Sequence, residues 1–273
     1  MTRLLVMVLL ACIPGTYSKA IYGIFPVGAR SRGLGGVHVM LADVWSGLHN
    51  EAGLSCVHGI SVSLHAENRF LMPETGLGAF SLCIPVNRGT VGIQYASFGY
   101  SLYQESQVCL AYGKPFGSAF RAGIGLHCMK IRQAAGYGTL FALVPALGVQ
   151  VIPVKGLTIG FHVLNPASQP FYPQGQLEMP ALFNAGLGFS PGEELLICLE
   201  AEKESRGSTV FRGGFEYFLR DVICTRFGIS YEKYPTWSLG IGFLYRGLKT
   251  DIAICRHPLL GFSPALTLSY SFP

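Results

Sequence analysis

Residues 28 to 54 read GARSRGLGGVHVMLADVWSGLHNEAGL, and this run of glycines with Asp43 downstream has the look of a phosphate-cradling loop. A dinucleotide loop requires Gly-x-Gly-x-x-Gly between a strand and a helix. Gly33-Leu34-Gly35-Gly36-Val37-His38 puts its third glycine elsewhere, and the Gly-Lys-Ser/Thr of a Walker loop is absent. His38, His49, His58 and His65 lie close in sequence, but without the spacing that aims two imidazoles at one metal. No Gly-x-Ser-x-Gly elbow occurs. The expectation is therefore a non-enzymatic protein with no catalytic residues, no cofactor and no metal.

Seven cysteines lie beyond residue 20: Cys56, Cys83, Cys109, Cys128, Cys198, Cys224 and Cys255. An odd number in an exported chain leaves at least one thiol unpaired. There is no Cys-x-x-Cys to build structural zinc, and pairings cannot be read from the spacing. Most of these cysteines fall among small residues, where a cysteine serves as a small hydrophobe.

Export is what the first twenty residues indicate. MTRLLVMVLLACIPGTYSKA carries Arg3, an apolar core from Leu4 to Ile13, a Pro/Gly break and small residues at Ser18 and Ala20, so residues 1–20 are expected to be a signal peptide cleaved after Ala20. The alternative is a lipid on Cys12, within Leu9-Leu10-Ala11-Cys12. The formal net charge of +5 falls by two when Arg3 and Lys19 are removed. No strong basic field remains, and nucleic acid is not an expected partner.

Half the residues are hydrophobic, yet beyond residue 20 no run of apolar residues is long enough for a membrane helix. The apolar residues alternate instead. In Val222 to Glu232, Ile223, Thr225, Phe227, Ile229 and Tyr231 share one face, and Cys224, Arg226, Gly228, Ser230 and Glu232 the other. The same period recurs from Ile60 to Glu67, around Trp237 to Tyr245 and in the final ALTLSYSFP. Segments of the ~10 residues a tilted strand needs to cross a bilayer start near positions 59, 76, 89, 103, 118, 139, 154, 181, 193, 208, 222, 236, 248 and 263. Tight turns such as Asn87-Arg88-Gly89 and Arg246-Gly247 follow the even segments. Longer links follow the odd ones, the longest running from Leu164 to Pro180.

A soluble sandwich would crowd its small-residue face with Lys and Glu. Here that face holds Gly, Ala, Ser and Cys with scattered ions such as Arg121, Glu200, Arg226 and Asp251, while the other is aromatic and aliphatic. The fold expected is an all-β transmembrane outer-membrane barrel of about 14 antiparallel strands, with short periplasmic turns and longer outer loops. Leu140 to Val154 alternates poorly and leaves its strand boundaries open.

The opening stretch resembles the N-terminal signature of the FadL-like barrels, especially the PorV/PorQ group linked to type IX secretion. The matching positions are Gly28, Ala29 and Arg30, then Leu34, Gly35 and Gly36, then Ala42 and Asp43, then Asn50, Ala52, Gly53 and Leu54. Ser97 to Tyr103 resembles a further link of that group. Glu51 stands where the family has Pro, which removes the fixed φ after Asn50. The resemblance implies that residues 21–58 fold inward as a hatch and 59–273 form the barrel, so the hatch motif is Gly28, Arg30, Gly35, Gly36, Asp43, Asn50, Glu51, Gly53 and Leu54. Gly33, Gly35, Gly36 and Gly47 would let the backbone pass close to the wall. Leu41, Val44, Trp45 and Leu48 could share one apolar face.

Two functions follow from the resemblance. One is a type IX secretion component that binds a translocon or secreted cargo. The other is a FadL-like channel for hydrophobic small molecules, with outer-membrane lipid as its surroundings. Outer links mostly under ten residues favour the first, because FadL-type fatty-acid transporters are longer and build ligand pockets from extended loops.

Overall fold

The computed structural model describes residues 26–134, 138–172, 179–220 and 222–272. The expected signal peptide at 1–20 and the first hatch residues, 21–25, lie outside these, as do residues 173–178 of the long link, Asp221 and Pro273.

Fourteen strands form one closed antiparallel barrel. They are β1 (Ser61–Asn68), β2 (Gly76–Val86), β3 (Gly89–Gly99), β4 (Tyr103–Phe116), β5 (Phe120–Gln133), β6 (Gly138–Val154), β7 (Leu157–Leu164), β8 (Leu182–Phe189), β9 (Leu195–Glu204), β10 (Thr209–Leu219), β11 (Ile223–Tyr231), β12 (Pro235–Tyr245), β13 (Leu248–His257) and β14 (Gly261–Ser271). Each pairs with its sequence neighbours, and β1 closes the ring against β14 through a register running from Ser61↔Ser271 to Glu67↔Ala265. Closure gives every strand a partner on each side.

Period 2 decides which side chains meet which medium. Leu64, Phe80, Leu110, Phe161, Leu199 and Leu268 point outward and are exposed, whereas Ser63, Gln94, Gln107, Glu216 and Arg226 point inward and are buried. An apolar exterior around a charged interior inverts a soluble protein. Hydrocarbon is the surrounding that favours it, because the closed ladder satisfies every backbone group internally. The chain is a transmembrane β-barrel; no described helix is long and apolar enough to cross a membrane.

Strand starts lie within three residues of those expected from the period. The largest offset is at β7, expected near 154 and observed from Leu157. The link after β13 is shorter than expected, since β13 and β14 extend into RHPLLGFS and leave only residues 258–260 between them, while the longest link keeps its span between Leu164 and Leu182. The ambiguous Leu140 to Val154 segment is one 17-residue strand, β6, with a register shift between Val151 and Val154, at Pro153. Pro145 is tolerated in mid-strand for a specific reason. Its carbonyl accepts from the Asn165 amide, on the β7 side, and the β6–β7 ladder reaches only to Ala146↔Leu164, so the missing N–H falls where no ladder bond is needed. Beyond that point Phe141 and Tyr172 exchange backbone hydrogen bonds, and the returning link takes over from β7.

The described residues before β1, from 26 onward, lie inside this wall. They include two short helices, α1 (Ala29–Gly33) and α2 (Ser46–His49), then a 3-10 helix, Glu51–Cys56. Trp45, Leu48 and Leu54 pack with Cys83, Ala96, Cys109 and Ala111 of β2, β3 and β4. Gly35 shows how tight the fit is. Its φ is +74°, and a Cβ built there would lie 2.6 Å from the Ile229 carbonyl oxygen. Gly35→Val is expected to cost about 2 to 4 kcal/mol, combining left-handed strain with overpacking. Gly78, with open space where its Cβ would go, should accept Ala with no loss. The temperature at which the folded barrel loses its compact gel mobility separates the two.

Candidate functional site

Charge pairs tie the N-terminal segment to the wall. Arg30 donates from Nη2 and Nε to Glu216 on β10 at 2.7 and 3.0 Å, and its Nη1 lies 3.7 Å from Asp43. Burial alone would lower the Arg30 pKa, but the Glu216 carboxylate beside it outweighs that and raises it above the usual arginine range. Arg226 is the second partner of Glu216 and also stands 2.8 Å from Asp251. Arg32 meets Glu67 of β1 at 2.8 Å. On β9, the strand beside β10, Glu200 accepts from the backbone amides of His38 and Val39, each at 2.7 Å. Burial, reinforced by His38, holds His49 well below the ordinary imidazole range; its neutral Nε2 accepts from the Val27 amide at 3.1 Å.

The other residues of the sequence motif are placed as follows. Gly28 has φ +94° and lies against the Trp45 ring, and Gly36, with φ +86°, passes beside Arg212. Asp43 accepts from the Trp45 amide through Oδ1 at 2.9 Å and donates its own amide to Ser46 Oγ. Asn50 Nδ2 donates to Val39 at 2.7 Å and to Val149 and Phe161 at 3.2 Å each, joining the segment to β6 and β7. Its Oδ1 accepts from the Ala52 amide, which caps the 3-10 helix at the point where Pro is missing. A Cβ on Gly53 would meet Ser46 Oγ at 2.6 Å, and Leu54 lies over Gly92 and Gly113. The motif residues thus all lie inside the barrel, but in two groups. Arg30 faces β10 with Asp43 beside it on the β13–β14 side, while Asn50, Glu51 and Leu54 face β3 to β7.

Glu51 is the ionisable member of the second group, and like Asn50 and Leu54 it is wholly buried. Its Oε1 stands 3.5 Å from His127 Nε2 on β5 and 3.5 Å from His162 Nε2 on β7. Burial pushes its carboxyl up, but the facing imidazoles, His162 foremost, outweigh this and bring it to about 2. Cys109 of β4 also lies at this spot, its Sγ 3.5 Å from His127 Nε2. A carboxylate with a depressed folded pKa contributes stability above its unfolded value and loses it as pH falls through the folded one. Docking of this part of the segment should therefore be unchanged down to about pH 4.5 and loosen between there and about pH 2. Protease access to residues 50–56 in reconstituted membranes measures it.

One grouping absent from the sequence reading is His38 with Glu200 and Glu202, whose ligand-type atoms lie within 4.8 Å of one another. Arg212 already occupies it, 3.0 Å from both Glu200 Oε1 and Glu202 Oε1. That guanidinium supplies the positive charge a metal would bring, so the set reads as an ion-pair network.

The lumen is not polar throughout. Toward the end that carries the long link, the inward faces of Met129 and Ile131 on β5, Leu140, Ala142 and Val144 on β6 and Leu164 on β7 are apolar, and Phe171 and Met179 of the link pack onto them. This apolar patch is why β6 alternates poorly. At the opposite end an open pocket of about 380 Å³ lies below Ser55 and Val57, rimmed by Val86, Arg88, Lys114 and Pro115. The Glu51 cluster lies between patch and pocket, since His127 precedes Met129 by two residues and His162 precedes Leu164 by two.

No family model and no curated protein sequence matches the chain. Solved structures do. The chain is similar to the CymD monoaromatic hydrocarbon channel (TM-score 0.71, 13% identity, covering 90% of this chain and 97% of that one). It is similar to the Ralstonia pickettii toluene transporter TbuX (0.69, 11%, 93% and 100%) and to a Pseudomonas aeruginosa FadL homologue (0.69, 11%, 92% and 99%). Near-complete coverage of these channels removes length as an argument against the FadL-type reading, and nothing among them supports the PorV/PorQ group or type IX secretion. Likeness at this identity is one of fold, and the fold is that of the FadL-type outer-membrane barrel.

Proposed function

We propose that this chain is an outer-membrane channel for hydrophobic small molecules, exported by residues 1–20 and surrounded by lipid, with residues 21–58 as its hatch. The observation that carries this is the inward apolar patch of Met129, Ile131, Leu140, Ala142, Val144 and Leu164. Apolar side chains facing a lumen otherwise lined with ions give an apolar solute a place to leave water. The FadL-type fold, shared with a monoaromatic hydrocarbon channel and a toluene transporter, supports a substrate of that class. No protein partner is needed for this reading.

Uptake of labelled toluene by intact Gram-negative cells tests it, because their outer leaflet resists apolar solutes. Cells carrying the chain should take up toluene several-fold faster than cells without it, with no gain for a sugar of similar mass. Equal toluene rates would remove the channel reading.

A further inference from the structure

Among the lumen carboxylates, Glu67, Glu200 and Glu216 each hold an arginine at 3.1 Å or less. Glu51 is different. Its ion-pair partners among the described residues are two imidazoles, both at 3.5 Å, and neither carboxylate oxygen nor either His162 nitrogen has a hydrogen bond of ordinary geometry. The wall nevertheless makes room for it. A Cβ on Gly125 would come within 2.6 Å of Glu51 Oε1, one on Gly148 within 2.8 Å of Oε2, and one on Gly123 within 2.6 Å of Glu51 Cβ. Three inward-facing glycines on β5 and β6 thus shape a cradle for one carboxylate, held by contacts looser than the arginine pairs that hold the rest of the segment.

We infer that Glu51, His127 and His162 form a carboxylate–imidazole latch, and that the hatch releases first at this point, opening a path along β5 to β7. The latch stands between the apolar patch on the same strands and the open pocket below Ser55, so its release would join the two. At the other side Arg30 and Arg32 keep their bidentate or short contacts, and the segment swings about that anchored end. Glu51 thus takes a position where the related motif has proline and turns a fixed corner into a charge-held one. The reading of a hatched channel underlies this inference, but the latch has a readout that needs no substrate.

Native cysteines report it. Cys109 Sγ donates to the Gly47 carbonyl at 3.0 Å beside the latch, whereas Cys255 Sγ donates to the Arg32 carbonyl at 3.4 Å on the anchored side; both are buried. Outer-membrane fractions holding the full chain would be treated with iodoacetamide and each cysteine quantified by peptide mass spectrometry. Glu51→Gln, which keeps size and removes charge, should speed alkylation of Cys109 about tenfold and leave Cys255 unchanged, while Glu51→Asp stays near wild type. A His127→Gln/His162→Gln double variant should reproduce Glu51→Gln. Retained heat-modifiable migration confirms that the barrel is folded in each. Cys109 protected in both charge-removing variants overturns the latch, and so does equal opening of Cys109 and Cys255, which would mean general loosening. If Cys109 opens selectively while toluene uptake stays at background in every version, the latch stands and the channel reading falls.

Discussion

Arg30→Glu is expected to free the N-terminal segment from β10 while the barrel stays closed. The substitution removes both hydrogen bonds to Glu216 and sets a new carboxylate among Glu216, Asp43 and Asp251. Removing one member of a buried pair costs about 3 to 5 kcal/mol, and reversal adds like-charge repulsion to that. The wall does not share the loss, since its ladders do not pass through Arg30. Trypsin should then cut at Arg32 in membranes where wild type resists, and single-channel conductance should rise severalfold. A variant with unchanged conductance and protease resistance would contradict the placement of Arg30 as an anchor.

The second large effect concerns the apolar patch. Leu140 is buried against Ile131, its cross-strand partner, within the cluster that Phe171 and Met179 cover. Leu140→Asp would bury a carboxylate among the apolar side chains of that cluster, where the flanking Lys130 and Arg132 point outward. Such a group shifts by 3 to 5 pKa units and stays protonated at neutral pH, a cost on the order of 4 kcal/mol. Toluene uptake should fall to background. Leu140→Ala loses about 2 to 5 kcal/mol of packing but keeps the surface apolar, and should retain uptake in the folded fraction. Uptake that follows only the folded amount in both variants would mean that the polarity of the patch is immaterial.

The strands were legible because a barrel wall separates two media and each residue declares its side. Ile223, Phe227 and Tyr231 against Cys224, Arg226 and Ser230 mark β11 without reference to any other part of the chain. Segment 140 to 154 blurred that signal because its inward face is apolar too, and the blur itself marked the apolar patch. The latch was beyond the sequence for a different reason. Glu51 is next to Asn50 in the motif, but His127 and His162 reach it only through the curvature of a wall that brings β5 and β7 to one point. Arg212 between Glu200 and Glu202 lies on a neighbouring strand, so its ion pairs likewise exist only once β9 and β10 are in register.

The strands differ in height. Seventeen residues form β6 and eight each form β7 and β8; at about 3.3 Å per residue and a tilt of about 40° they rise roughly 43 and 20 Å. The apolar band of such a barrel is about 25 Å tall. Next to β7 and β8 the acyl chains must shorten to match, while β6 stands clear of the bilayer. The barrel therefore carries a hydrophobic mismatch along the adjacent short strands β7 and β8, and again at the eight-residue β1 across the ring, at a cost of fractions of a kcal/mol per Å. With two short strands side by side, the wall that bears His162 and Leu164 has the broader thinned sector of lipid beside it.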